Sequence, residues 1–214
     1  MKVERLRGGP WGQNCYLVAN DPDAILVDPG GSAPEILETL AARNLRLVAI
    51  VNTHGHFDHI GAVVELAEAT GADFYISALE LPIMKSSNML RFIFKSKEKV
   101  VVPTRFIDIA GDGVVLEFAG LTIRCLSTPG HTPGGYCFLI GDELFSGDTV
   151  LSSMPGTAEL PGGNAEDLRR SLLRLGELAP DTVLHPGHGR DTTLGAALAA
   201  IEALTVMSEA TSND

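Results

Sequence analysis

Short apolar runs punctuated by glycine, proline and aspartate fill the first third of the chain. VERLRG (3–8) and CYLVAN (15–20) have the residue types of paired strands, and AILVD (24–28) is a third, closed by Pro29-Gly30-Gly31. Helical spacing of apolar positions then begins at Ser32 or Ala33 and runs to about Ala42, with Pro34 in the first turn, where its missing N–H is harmless. LRLVAIVN (45–52) is almost continuously apolar, which suits a strand covered on both faces. A helix over about 59–69, stopped by Gly71, and a strand ADFYIS (72–77) follow. Beyond residue 104 the pattern is β-rich: RFIDI (105–109), VVLEFAG (114–120), LTIRCLST (121–128), GYCFLIG (135–141) and ELFSGD (143–148). The Gly-Asp break at 141–142 makes the last two a hairpin. A helix over about 165–177, a strand TVLH (182–185) and a helix over about 192–206 complete the order. Strands then helix, twice, predict a mixed α/β (α+β) chain of two packed sheets with helices outside.

The 214 residues are enough for one substantial domain spanning 1–214, and no repeat or linker divides them. No run of 18 apolar residues predicts a membrane span, and the start MKVERLRGGPWGQN lacks the apolar core of a signal peptide, so a cytoplasmic location is expected. The net charge of −11 repels nucleic-acid phosphates and anionic membranes. The expected partner is a small-molecule substrate, with no nucleic acid and no membrane. Cys15, Cys125 and Cys137 have no paired spacing and read as reduced thiols.

The chemistry is concentrated in NTHGHFDHIGA (52–62), where His54, His56, Asp58 and His59 include half of the chain's six histidines. Histidine nitrogens and carboxylate oxygens are metal ligands, and this loop follows a buried strand. His131 in STPGHTPGG, Asp148 in FSGDT and His188 in HPGHG each lie just beyond a predicted strand, where a sheet can hold a loop steady. One zinc takes three or four protein ligands, so seven candidates suit two metals sharing a carboxylate. The chain has no G-x-S-x-G, no phosphate-cradling loop with a lysine, and no cysteine within these motifs.

In this order THGHFDH, PGHTPGG, FSGDT and PGHG resemble the metallo-β-lactamase-fold hydrolase superfamily, and within it the short glyoxalase II-like (hydroxyacylglutathione hydrolase-like) proteins. The resemblance implies a four-layer αββα sandwich with the site along one edge of the sheets. It implies two divalent metal ions, zinc first with iron or manganese as alternatives. His54, His56 and His131 match the ligands of one ion; Asp58, His59 and His188 match those of the other; Asp148 matches the bridging carboxylate. Asp28 matches a supporting position behind the ligands, and His185, with no ligand role in the pattern, is supporting or structural. The implied reaction is hydrolysis by a metal-bridging hydroxide, oriented by Asp58 as catalytic residue, on a thioester of the S-acylglutathione type. A mononuclear-iron persulfide dioxygenase, bound through residues matching His54, His131 and Asp148, is the alternative, and a lactonase the next.

Departures from that family raise further expectations. GTAE (156–159) stands where related proteins carry Gly-Arg-Thr-Asp, and the acidic tail ALTVMSEATSND stands where full-length glyoxalase II proteins have a basic helical region for glutathione. Residues 78–104 form a long insert rich in lysine. One expectation is a lid, with Lys95 and Lys97 holding an anionic substrate tail and Met84, Met89, Phe92 and Phe94 forming an apolar wall; the other is a helical hairpin packed on the body or on another subunit. Tyr136 is a further candidate substrate contact.

Overall fold

In the computed structural model, which describes residues 1–8, 12–93, 100–118 and 120–211, strand β2 (Gln13–Asn20) faces two cores at once. Cys15, Leu17 and Ala19 enter one apolar cluster, and Tyr16 and Val18 enter another. Strand β3 (Asp23–Val27) does the same, with Ala24 and Leu26 on one side and Ile25 and Val27 on the other. Successive side chains of a strand point to opposite faces, so a strand covered on both must be apolar throughout. This accounts for the unbroken apolar runs.

The first sheet has the order β1-β2-β3-β4-β5-β6, with β1 Lys2–Gly8, β4 Arg46–Val51, β5 Asp73–Ile76 and β6 Ile107–Asp108. Its pairs are antiparallel through β3 and parallel beyond it. The second sheet has the order β12-β11-β10-β9-β8-β7, built from β7 (Val114–Phe118), β8 (Leu121–Ser127), β9 (Tyr136–Ile140), β10 (Glu143–Gly147), β11 (Val183–Pro186) and β12 (Thr192–Thr193). Val27, Val51, Ile123, Phe138 and Phe145 belong to the core between the sheets.

Helices close the two outer faces. Helix α1 (Ala33–Ala42) starts where Ser32 Oγ accepts the Glu35 N–H, and buries Ile36 and Leu40 against the first sheet. Helices α5 (Ala165–Leu175) and α6 (Leu194–Thr211) put Leu175, Leu194 and Ala197 on the second. Asn164 caps α5 by accepting the Glu166 and Asp167 N–H groups. The result is the four-layer αββα arrangement. The three cysteines fall in three separate clusters and are free.

The single helix expected over 59–69 is two pieces, α2 (Phe57–Ile60) and α3 (Val63–Thr70). The Pro29-Gly30 turn presses into the break: Ala62 N–H donates to Pro29 O, and a Cβ on Gly61 would sit 2.5 Å from Gly30 O. The strand expected at 105–109 pairs only over Ile107–Asp108, and Thr192–Thr193, expected as helix, form the edge strand β12. Residues 78–93 of the insert are a 3-10 turn (Ala78–Glu80) running into helix α4 (Leu81–Ile93). Ile83, Met84 and Ser87 of α4 are buried. Among the described residues no helix is long and apolar enough to cross a membrane.

Candidate metal centre

Strands β3, β4, β10 and β11 all run out at the same edge of the sandwich. Asp28 follows β3, residues 52–59 follow β4, Asp148 follows β10 and His188 follows β11, while His131 lies in the loop from β8 to β9. Loops at the carboxyl ends of neighbouring parallel strands converge, which is why residues far apart in sequence meet there.

The seven candidates fall into two groups, and a third set, Asp28 with His54 and His59, links them. One nitrogen each of His54, His56 and His131 lie within 4.8 Å of one another, and so do single atoms of Asp58, His59 and His188. Asp148 reaches both: Oδ2 is 3.7 Å from His131 Nε2 and 3.6 Å from His188 Nε2, and Oδ1 is 3.6 Å from His59 Nε2. His188, at 29% side-chain exposure, is the most open of the set and marks the mouth. The structure thus brings all seven sequence-derived candidates together.

Supporting contacts orient three of the imidazoles, those of His54, His59 and His131. Asp28 is fully buried with φ of 52°, in the left-handed region where short polar residues are tolerated. Its Oδ1 accepts the Thr53 N–H at 2.7 Å, and its Oδ2 accepts the Thr53 hydroxyl at 2.6 Å and His59 Nδ1–H at 3.0 Å. Having donated its proton to Asp28, the Thr53 hydroxyl accepts from His54 Nδ1 at 3.0 Å. His131 Nδ1 donates to the Thr157 carbonyl at 2.6 Å. With Nδ1 so engaged, each of these imidazoles presents Nε2 to the centre, His131 Nε2 lying 3.0 Å from His56 Nδ1, and Nε2 is the atom a cation would take. Asp28 therefore does lie behind the ligands.

Charge and burial also fit a cation. His54 Nε2, His56 Nε2, His59 Nε2 and Asp148 Oδ1 are buried with no hydrogen-bond partner. Buried polar atoms are ordinarily paired, so such a cluster marks a missing positive centre. Burial, with its fellow histidines adding to it, holds His54 far below the usual imidazole range and pushes His56 down to about 3. Burial also works against charge on His59, but Asp148, Asp58 and Asp28 overcome it and raise that imidazole to about 10. Burial opposes ionisation of Asp58 as well, yet the charges of His59 and His188 keep its carboxyl well below the usual range. A metal would replace the proton His59 otherwise takes. The donor set, nitrogen and carboxylate without sulfur, suits zinc, iron or manganese.

Other sequence expectations fall elsewhere. His185 is stacked on Phe145, its Nε2 2.5 Å from Glu143 Oε2, and takes no part in either group. Tyr136 is a correction: its ring is buried in the core between the sheets and its hydroxyl donates to Gly111 O, so it is no substrate contact. Met84 is likewise packed beneath Gly55 and forms no wall facing a substrate. Phe92 is 79% exposed on the last turn of α4. Lys95, Lys97 and Phe94 lie outside the described residues. A depression of about 650 Å³ between α3 and residues 101–107 contains none of the candidate ligands.

Sequence reasoning misses the residues that hold the loops. Asn14 donates through its side chain to Pro186 O (2.8 Å) and Gly189 O (3.0 Å), and through its backbone to Gly187 O (2.6 Å), fixing the segment that carries His188. Glu80, fully buried, accepts from Gly55 N–H and Gly134 N–H. Neither carries a motif; the signal available was only an acid and an amide next to apolar runs.

The Metallo-beta-lactamase superfamily model matches residues 8–188. An uncharacterized protein of Aquifex aeolicus is 36% identical over 204 residues, covering 91% of this chain and 93% of its own. The probable polyketide biosynthesis zinc-dependent hydrolase BaeB of Bacillus velezensis is 32% identical, covering 83% of this chain and 73% of its own. Among solved structures, TTHA1623 in a di-iron-bound form superposes with a TM-score of 0.84 at 33% identity, covering 93% of this chain and 98% of that one. ETHE1 from Myxococcus xanthus gives a TM-score of 0.76 at 27% identity, covering 91% and 80%. With the fold, the paired ligand groups and these likenesses in agreement, the chain belongs to the metallo-beta-lactamase superfamily of metal-dependent hydrolases.

Proposed function

We propose that this chain is a glyoxalase II-like, binuclear-metal-dependent hydrolase of small thioesters, with an S-acylglutathione-type compound as first substrate and the cytoplasm as its setting. The observation that carries the reading is the convergence of two ligand groups on one shared carboxylate, Asp148. The zinc-dependent relative and the di-iron neighbour support divalent ions without choosing between zinc and iron. Two such ions bound there would supply a water acidified enough to be nucleophilic near neutral pH and an electrophile for the carbonyl oxygen. Asp58, kept ionised and with Oδ2 3.2 Å from His188 Nε2, is the side chain placed to orient that water and hold its proton.

The cysteines offer no rival nucleophile. All three cysteines are buried, and burial pushes Cys125 up to about 12, Cys137 to about 11 and Cys15 higher still. A thiolate leaves readily without an acid, which suits a centre whose own carboxylates are held as acceptors. The net charge of −11 favours a small molecule over a phosphate polymer or an anionic membrane.

The test is metal content per chain by elemental mass spectrometry on protein made without added metal or chelator, followed by thioester hydrolysis with and without chelator. Two ions per chain and hydrolysis abolished by chelation are expected. A single iron, with oxygen uptake on glutathione persulfide, would replace this reading by the mononuclear-iron dioxygenase, an alternative compatible with the likeness to ETHE1.

A further inference from the structure

Glu80 ends the 3-10 turn ahead of α4, and its fully buried carboxylate hydrogen-bonds none of the seven candidate ligands. It spans the two loops that carry the first group. Oε2 accepts the N–H of Gly55, the residue between His54 and His56, at 2.8 Å. Oε1 accepts the N–H of Gly134, three residues past His131, at 2.7 Å. The next peptide, Gly55–His56, is held as well: the Ser87 hydroxyl of α4 lies 3.2 Å from Gly55 O and 3.3 Å from Ile83 O, and shares its proton between the two carbonyls.

The two glycines make room for this carboxylate. A Cβ on Gly134 would come within 2.9 Å of Glu80 Oε1, and one on Gly55 within 3.2 Å of Oε2 and 2.7 Å of Met84 Cγ. An acid in a dry interior is costly unless its oxygens are satisfied, and here the satisfying donors are backbone groups of the two ligand-bearing loops. Any shift of one loop against the other breaks one of those bonds. Among the described residues the second group has no such clamp: Asp28 holds His59, and also reaches His54 of the first group through Thr53, while Asn14 holds the segment around His188.

We propose that Glu80, assisted by Ser87, is a positioning residue for the first group: it sets the spacing of His54 and His56 from His131, and so the affinity of that half of the centre for a divalent cation. The assignment to one half rests on the two-metal reading above; the clamp itself does not. Glu80→Gln keeps the side chain's size but turns an NH₂ toward a peptide N–H, so one loop is released. Ser87→Ala removes the outer support of Gly55 together with the hydroxyl's bond to Ile83 O within α4.

The experiment compares full-length wild type, Glu80→Gln and Ser87→Ala, each loaded with zinc and titrated with a competing chelator. Metal per chain is counted at every step, and the remaining ion is located by anomalous scattering in crystals. Supporting residues behind metal ligands typically change affinity about 10–100-fold. Glu80→Gln is expected to release one ion at about that much less chelator and to keep the ion on Asp58, His59 and His188. Ser87→Ala is expected to shift the same ion by less, and it carries the test if Glu80→Gln does not fold. Loss of both ions in step, or wild-type affinity for both, would overturn the proposal. So would a lowered melting temperature of the metal-free protein with metal affinities unmoved, the mark of a purely structural role. If wild type holds one ion only, the two-metal reading fails, and the clamp is judged on that ion: weaker binding in Glu80→Gln supports it and unchanged binding overturns it.

Discussion

Replacing Asp28 by asparagine isolates what its charge does for the centre. The backbone is unaffected in principle, because asparagine tolerates the left-handed conformation that Asp28 adopts at φ of 52°. The amide oxygen can still accept the Thr53 N–H. What changes is the second oxygen, which now becomes an NH₂ facing His59 Nδ1 at 3.0 Å and the Thr53 hydroxyl at 2.6 Å. His59 must then accept through Nδ1 and carry its proton on Nε2, the atom that faces Asp148. A cation can take Nε2 only after that proton shifts back to Nδ1, and the Thr53 hydroxyl, no longer donating to Asp28, passes the change on to His54 Nδ1, so the second site should lose about 10–100-fold in metal affinity, about 1.4–2.7 kcal/mol, and the first site a smaller share. The assay is chelator competition with metal counted per chain. Alanine at the same position should bind metal little worse than asparagine yet melt lower, since it adds left-handed backbone strain of roughly 1–2 kcal/mol. Wild-type affinity at both sites in Asp28→Asn would refute the tautomer argument.

Three other outcomes are expected. A Cβ on Gly187 would lie 2.2 Å from Asp148 Oδ1 and 2.8 Å from His59 Cε1, so Gly187→Ala should displace both and lower kcat/KM about 100-fold or more, read against a melting temperature only modestly changed. Asn14→Ala removes two side-chain bonds to the 186–189 segment and should cost about 1–3 kcal/mol in denaturant unfolding, with weaker metal retention at the second site. The metal-free protein should lose stability as pH falls from about 6.5 towards 3. Over that range the unfolded chain binds a proton on His56 that the folded chain, with this imidazole pushed down to about 3, refuses. His59, raised to about 10, is already protonated in the folded chain, so its opposing slope is felt only near pH 6.5 and fades below about 5.5, where the unfolded chain carries that proton too, while His54, also held down, adds to His56. A melting temperature flat between pH 6.5 and 4 in chelator would contradict this.

The ligands were legible because they are rare residue types crowded into short motifs, each placed after an apolar run that could only be a buried strand. His131 and His188 needed no contact information for the same reason. Asp28 was accessible only through the family resemblance. Thr53, Asn14 and Glu80 were not accessible at all, because their chemistry is ordinary and their roles depend on which loop the fold brings beside them. Glu80 is the sharpest case: it stands at the edge of the lysine-rich insert, where an isolated acid reads as a solvated surface charge, yet it is fully buried. The insert itself misled in the same way. Its hydrophobes suggested an apolar lining for a substrate, whereas Met84 supports Gly55 from below. Tyr136 was misplaced because strand periodicity cannot say which face of β9 meets the other sheet.

Neither ligand group is complete within one sheet, and that explains much of the scaffolding. His54, His56, Asp58 and His59 come from the first sheet's β4 edge, while His131, Asp148 and His188 come from the second. Each ion would therefore join the sheets, and the distance between its ligands is set by how the sheets sit on one another. Several contacts that hold the ligands cross the same divide. Asn14 of β2 holds the segment after β11, Tyr136 N–H of β9 donates to Thr53 O, and Gly147 of β10 leaves room for the Thr53 side chain, which a Cβ there would meet at 2.2 Å. Glu80 ties the β4 loop to the β8–β9 loop. A sheet-on-sheet slip of a few tenths of an ångström would disturb both ligand groups together. The close-packed core between the sheets resists such slips, since interiors at crystal-like density have little free volume to yield. The metal geometry of this chain is thus set jointly by an apolar interface that fixes the sheets and by a few buried polar residues that fix the loops to them.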